Sequence, residues 1–254
     1  MSKFRNTIVS FLKEYTFLLR QMHPLAMAML FISVIGMNLL ANKSIATGLD
    51  WLALDCGIIL SWLCFLAMDI ITKRYGLRAA NMMAIAALLA NLALALIFFL
   101  ASIIPGEWSQ SYVEGSESVI NKALNETFKG TWYIILGSSI AFIVSAIVNN
   151  VLNWSIGKMF RRNPNGFLAF ATRTYVSTAI GQFVDNLLFA FIVSKIFFGW
   201  SVAQCITCAA TGAIAELLFE VVFSPLGYRY CLYLEKYHVG EEWIEYQREK
   251  KGGM

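Results

Sequence analysis

The chain has 254 residues, of which 58% are hydrophobic and 14% charged, with a formal net charge of +4 and a mean hydropathy of +0.63. Ordinary soluble domains are roughly 45–50% apolar and about 25% charged, so this composition excludes a soluble globular protein and points to a membrane protein. The basic residues cluster between apolar runs, where they report topology rather than a nucleic-acid surface.

The first stretch, "MSKFRNTIVSFLKEYTFLLRQMHP", interrupts its apolar residues with Lys13, Glu14, Arg20 and Gln21. A secretory leader needs an unbroken apolar core of about 7–15 residues, so no cleavage is expected. Phe4, Ile8, Phe11, Leu12, Tyr15, Leu18 and Leu19 recur at helical spacing opposite Lys3, Arg5, Lys13 and Arg20. Residues 1–23 are therefore predicted to form an amphipathic helix on the anionic cytoplasmic leaflet.

A helix needs about 20 mostly apolar residues to cross the hydrocarbon core. Six segments qualify: Pro24 to Ala41, Trp51 to Thr72, Ala79 to Ile104, Thr131 to Gly157, Phe167 to Phe198 and Trp200 to Leu226. The fifth is longer than a span requires, which predicts tilt, a break or projection beyond the bilayer. Lys73, Arg74 and Arg78, then Lys158, Arg161 and Arg162, and finally Arg229 and Lys236 mark one side of the membrane. Pro105 to Gly130 marks the other with Glu107, Glu114, Glu117 and Glu126. The positive-inside bias predicts both termini in the cytoplasm of a multi-pass inner or plasma membrane protein. The expected fold is all-α and polytopic: an interfacial segment 1–23, a six-helix domain 24–227 and a cytoplasmic tail 228–254 whose last residues fray. No other segment is large enough for an independent domain.

The chemistry then has to lie between helices. On the fifth segment, at about 100° per residue, Thr174, Thr178 and Gly181 fall within roughly 40° of Asp185 and Gln182 about 60° away. Arg173 sits about 120° round, nearer the cytoplasmic end, where it can snorkel or pair separately. Asp185 is about 18 Å along the axis from Arg173 and about 15 Å from Lys195, near the midplane. A carboxylate there costs at least about 2.5–3.5 kcal/mol on insertion scales, so it should face a partner, the bundle interior or a water-filled cavity. The alternative is a structural Asp185 satisfied by hydroxyls or amides of a neighbouring helix.

The fourth segment carries a second stripe, with Ser138, Phe142, Ser145 and Asn153 within roughly 40° of Asn149. Its "VNNVL" echoes "VDNLL" of the fifth, which suggests an inverted repeat with Asn149 opposite Asp185, as in carriers whose sites lie at the midplane. In "FLAMDIITKRYG", Asp69 stands four residues before Lys73, either as an intrahelical ion pair or as a gate. Glu216 and Glu220 lie one turn apart on the sixth segment, to be neutralised by Arg173 or Lys73 or to act in proton coupling and gating. Asn38, Asn42 and Lys43 either anchor the end of the first segment or line an outer vestibule.

Several chemistries are unsupported. The cysteines Cys56, Cys64, Cys205, Cys208 and Cys231 lie in or beside apolar runs and read as small core residues. Cys205 and Cys208 form one C-x-x-C with no second ligand pair, and only His23 and His238 are present, too little for a metal centre or a Ser/His hydrolase. There is no phosphate-binding loop of the G-x-x-x-x-G-K-[ST] type. No cofactor and no enzymatic activity are expected.

The segments "LLANKSI", "FLAMDIITKRYG", "AFIVSAIVNNVL", "RTYVSTAIGQFVDNLLF" and "SPLGY" together resemble the queuosine-precursor transporters, also called the vitamin uptake transporter family. The similarity covers about Leu39 to Tyr228. It implies a six-helix carrier importing 7-deazaguanines: queuine, 7-cyano-7-deazaguanine or 7-aminomethyl-7-deazaguanine. By matching position, Asn42, Asp69, Arg173, Ser177, Gln182 and Asp185 would inherit family roles. The chain departs from the family where it has Asn149 in place of the usual aspartate, and Ala215 and Glu216 in place of a lysine.

A guanine-like ring offers adjacent N–H donors that one carboxylate can accept together. Asp185 is expected to read that edge, with Gln182 or Asn149 addressing the carbonyl and Phe142, Phe183 or Phe189 stacking. Ser145, Ser177, Thr178 and Asn42 complete the expected binding set, and Asp69, Lys73, Arg173, Glu216 and Glu220 the gating and coupling set. The expected partners are the small-molecule substrate and the lipid bilayer, with a homodimer compatible and no nucleic acid. Two other classes fit the same helices: a substrate-capturing subunit of a multi-component importer, and a membrane scaffold that transports nothing.

Overall fold

Pro24 and Gly76 each stand where one helix gives way to the next. A computed structural model of the protein describes residues 2–41, 43–45, 48–49, 54–108, 115–160, 165–197 and 199–252. Helix α1 (Ser2–Gln21) gives way to α2 (Pro24–Leu40), and the segment Val9–Gln21 meets α2 at 110°. Pro24 occupies the first helical position, where its missing N–H is harmless, and the ring nitrogen of His23 accepts the Leu25 N–H at 3.3 Å. Gly76, at φ +87°, separates α3 (Ile58–Tyr75) from α4 (Leu77–Ile103), a conformation that a β-carbon would strain.

Two short strands, β1 (Ser44–Ile45) and β2 (Leu54–Asp55), pair antiparallel before α3, with Ser44 opposite Asp55. The second apolar segment therefore starts its helix at Ile58, later than Trp51, because the chain first closes this hairpin.

The remaining elements are α5 (Glu117–Gly157), α6 (Phe167–Phe189), α7 (Lys195–Phe197), α8 (Val202–Lys236) and α9 (Glu241–Gly252). A single π-helical turn, Ala190–Ser194, joins α6 to α7, which is the irregularity that the overlong fifth segment foreshadows. Helix α8 opens with a reciprocal cap between Ser201 and Gln204. Inside it, Pro225 has no N–H to give the Val221 carbonyl, and Ser224 Oγ donates to that carbonyl instead at 3.1 Å.

Helices occupy all six predicted segments, and four of them, α4, α5, α6 with its π turn, and α8, are long and apolar enough to cross a membrane. The bent pair Val9–Gln21 and α2 makes a fifth if counted as one span. Helix α3 falls short because its 18 residues include Asp69, Lys73 and Arg74, and its packing shows why it can. Every residue from Cys64 to Thr72 is buried, and α3 packs against α2, α4, α5, α6 and α8. It is the axis of an all-α membrane bundle and meets protein on every side, so apolarity all round is not required of it.

The two terminal helices lock together at one end of the bundle. Glu14 of α1 accepts two hydrogen bonds from Arg78, at 2.6 and 2.7 Å, and one from Lys250 of α9 at 3.1 Å. The Arg78 guanidinium above all holds the Glu14 carboxyl down at about 2. Trp243 is fully buried and donates to the Tyr75 carbonyl at 3.0 Å, while Phe17 and Tyr246 pack on its ring. The chain beyond residue 228 thus continues α8 to Lys236 and then folds back as α9, which is helical to Gly252.

Candidate functional site

Helices α5 and α6 run antiparallel in one clear register. A β-carbon on Gly137 would meet Val193, Ser145 bonds Asp185, Gly181 faces Asn149, Asn153 reaches Ser177, and a β-carbon on Gly157 would meet Arg173. Each step up α5 is matched by an equal step down α6, and the two predicted polar stripes are the surfaces that meet.

This register corrects the expected pairing of Asn149 with Asp185. Asp185 Oδ1 accepts from Ser145 Oγ at 2.6 Å. Asn149 lies one turn further along and donates to Asp69 Oδ1 of α3 at 2.8 Å. Ser177 and Thr178 reach the same Asp69 carboxylate more loosely, each at 3.4 Å. Asp69 is consequently a fully buried hub of α3, α5 and α6, and it forms no ion pair with Lys73. The Lys73 ammonium instead donates to Asn165 Oδ1 at 3.1 Å.

Arg173 is likewise not a snorkelling residue. Only 8% of it is exposed, and its Nε and Nη2 donate to Asn153 Oδ1 at 2.8 and 2.5 Å. Gly157 makes the space: a β-carbon there would come within 2.8 Å of the guanidinium. Asn150, unremarked in the sequence, joins Asn81 of α4 at 2.8 Å and Thr72 of α3 at 3.3 Å.

Above this network, Asp185 opens into a cavity of about 50 Å³. Its wall includes Asn38, Asp55, Ser61, Ser138, Asn186, Phe189, Cys208 and Glu216. Glu216 accepts from Ser61 Oγ and, at 3.2 Å, from Asn186 Nδ2; Ser138 donates to Asn38 Oδ1. Three carboxylates and no cation line this space. The volume holds one or a few waters, whereas ligand pockets commonly measure about 300–1,000 Å³. The described residues contain no group of three metal-capable side chains.

Of the residues singled out in the sequence, Asn38, Ser138, Asp185, Phe189, Cys208 and Glu216 share this cavity, and Ser145 holds Asp185 from behind. Asn149, Ser177, Thr178, Asp69 and Arg173 form the buried step beneath it. Phe142 is packed in the core and Phe183 is 36% exposed, so neither lines the cavity. Asn42 lies outside the described residues. Ser61 and Asn186 were missed, although a lone hydroxyl in "IILSWLCF" and the amide beside Asp185 were the available signals.

Among the described residues, the buried polar atoms without a hydrogen-bond partner include Oε1 and Nε2 of Gln182 and both carboxyl oxygens of Glu220. Tyr175 meets Ser224 and Asn186 meets Gly212 across α6 and α8, and this alignment puts Gln182 and Glu220 on the two apposed faces. Among the described residues, neither Glu216 nor Glu220 forms an ion pair with Arg173 or Lys73.

A bundle of apolar helices enclosing an acidic cavity above a buried polar step has the build of a small-molecule transporter. Residues 55–230, more than half of the chain, match the model of the family described as "Putative vitamin uptake transporter", and the chain belongs to that family. No curated protein and no solved structure matches it.

Proposed function

We propose that the chain imports 7-deazaguanine compounds, namely queuine, 7-cyano-7-deazaguanine or 7-aminomethyl-7-deazaguanine, by alternating access. In this reading the six helical segments all cross the cell membrane with both termini cytoplasmic, and residues 1–23 and 228–254 frame a transport domain of residues 24–227. The observation that carries it is Asp185, a half-buried carboxylate deep in the bundle with Oδ1 held by Ser145 and its other face toward the cavity.

The adjacent N–H donors of a guanine-like ring satisfy such a carboxylate in pairs. Asn186, which lines the cavity, addresses the ring carbonyl with the Nδ2 hydrogen it does not give to Glu216, in place of Asn149, which lies in the step beneath. Phe189 supplies the stacking face. The bicyclic ring does not fit about 50 Å³, so loading requires α6 and α8 to part, with the π turn and Pro225 as the local irregularities that permit it. Asp69, Lys73, Arg173, Glu216 and Glu220 then gate the passage or couple it to a cation. The three carboxylates of the wall favour a substrate bearing a protonated amine over 7-cyano-7-deazaguanine.

Uptake of the three labelled compounds into cells unable to make them tests the reading. Import above the empty-vector level is expected for at least one. Failure with all three, given verified expression, overturns the substrate class, and an Asp185→Asn variant with unchanged uptake and affinity removes Asp185 from the site.

A further inference from the structure

A second, larger space lies at the opposite end of the buried step from the acidic cavity. It measures about 860 Å³ and runs between the α3–α4 turn, the end of α5 and the α9 face. Among the described residues, seven of those lining it are Lys or Arg and none is Asp or Glu. Glu14 accounts for two of these charges, Arg78 and Lys250. Lys73 is occupied by the neutral Asn165. Arg74, Lys158, Arg173 and Arg248 have no carboxylate within ion-pair distance among the described residues.

Two of these groups are built into the interior rather than splayed over it. Arg173, over nine-tenths buried, spends Nε and Nη2 on one neutral amide and makes no hydrogen bond through Nη1. Arg74 donates Nε to the Val239 carbonyl at 2.8 Å, and its Nη2 is buried with no partner at all. A buried guanidinium N–H without an acceptor is strongly disfavoured, so the pocket is electrostatically incomplete. Multidentate oxygen anions complete such forks.

The rest of the lining says which anion. Phe11, Met82, Ile85, Trp154 and Ile244 give the pocket apolar walls. From Ile85 an exposed apolar stripe continues along α4 through Leu89, Leu96 and Leu100, toward the bilayer interior. A soluble phosphate has no use for that stripe, whereas an acyl chain does. We propose that this cleft is a binding site for one anionic phospholipid, its phosphodiester between Arg74, Lys158, Arg173 and Arg248 and an acyl chain along the α4 stripe. Basic pockets between membrane helices recognise lipid head groups by this combination of charge and depth.

The cleft lies at the far end of the buried step from the acidic cavity and shares Arg173 with the proposed gate, so its test reads lipid binding rather than uptake. Its test uses the full chain in nonionic detergent, with short-chain phosphatidylglycerol, short-chain phosphatidylcholine and glycerol 3-phosphate as probes, and native mass spectrometry as the readout. One phosphatidylglycerol is expected to bind at least about tenfold more tightly than phosphatidylcholine, with the preference weakening as salt rises. Lys158 and Arg248 are exposed, so Lys158→Gln with Arg248→Gln should leave thermal unfolding in phosphatidylcholine unchanged while lowering phosphatidylglycerol affinity about tenfold. Equal binding of the two lipids overturns the proposal, as does an unaltered affinity in the double variant. Displacement of phosphatidylglycerol by an equal concentration of glycerol 3-phosphate overturns the lipid assignment in favour of a soluble phosphate.

Discussion

The two ends of the bundle differ in both charge and room. One presents Asp55, Asp185 and Glu216 around about 50 Å³, and the other a mostly cationic lining around about 860 Å³. Between them stands a layer of amides and hydroxyls gathered on Asp69. The difference teaches that the polar residues of this membrane protein are sorted by depth. Three carboxylates line the cavity at one level, amides and hydroxyls surround the Asp69 carboxylate at the next, and ammonium and guanidinium groups line the cleft at the last. A substrate crossing the bundle would pass all three in order.

The sharpest way to break this contrast is to neutralise the acidic end. Asp185→Asn replaces an acceptor of two N–H donors with a group that also donates. Two charged hydrogen bonds, each worth about 1.5–3 kcal/mol, are weakened, and substrate affinity is expected to fall about a hundredfold or more, read by uptake and by direct binding. Glu216→Gln sharpens the comparison rather than breaking it. With one wall charge removed, the preference for 7-aminomethyl- over 7-cyano-7-deazaguanine should shrink several-fold in competition uptake, while absolute uptake changes less.

At the basic end the expected effects are structural and smaller. Gly157→Val drives a side chain into the space of the Arg173 guanidinium, and overpacking of this kind costs about 1–3 kcal/mol. A lowered thermal midpoint is expected, whereas Gly199→Ala, with nothing within 4 Å of the added carbon but a positive φ, perturbs only its own turn. The smallest effect concerns the lock between the termini. Glu14 has its carboxyl depressed from 4.5 to about 2, so its stabilising contribution is complete above about pH 4.5 and is lost as the pH falls toward 2. Because Arg78 is half exposed, the contribution is of order 1 kcal/mol. Unfolding of wild type and Glu14→Gln should converge across that window.

Much of the helical layer was legible because the apolar runs follow directly from the solvent. The polar stripes of α5 and α6 were legible too, since helical periodicity puts Ser145, Asn149 and Asn153 on one face and Asp185, Thr178 and Thr174 on another. The pairing between them was not. Matching "VNNVL" to "VDNLL" aligns letters, but antiparallel packing aligns Asn149 with Gly181, one turn from Asp185. The depth of Arg173 was hidden for a related reason: the room for its head group is made by Gly157, sixteen residues away on another helix. Nor does a sequence reveal that α3 is surrounded by protein, so its charges read as a cytoplasmic margin when Asp69 is the hub.

The unpartnered atoms of Gln182 and Glu220 carry a mechanical consequence. Four desolvated polar atoms without acceptors or donors each disfavour this packing by about 1–3 kcal/mol, and they occur on the apposed faces of α6 and α8. Side-chain bonds cross both this seam, at Tyr175–Ser224 and Asn186–Glu216, and the α5–α6 seam, at Ser145–Asp185 and Asn153–Arg173. A sliding of α8 along α6 by a fraction of a turn, or one water admitted from the acidic cavity, would relieve the frustration. These four atoms mark the α6–α8 contact as one place where this packing leaves polar groups unmet.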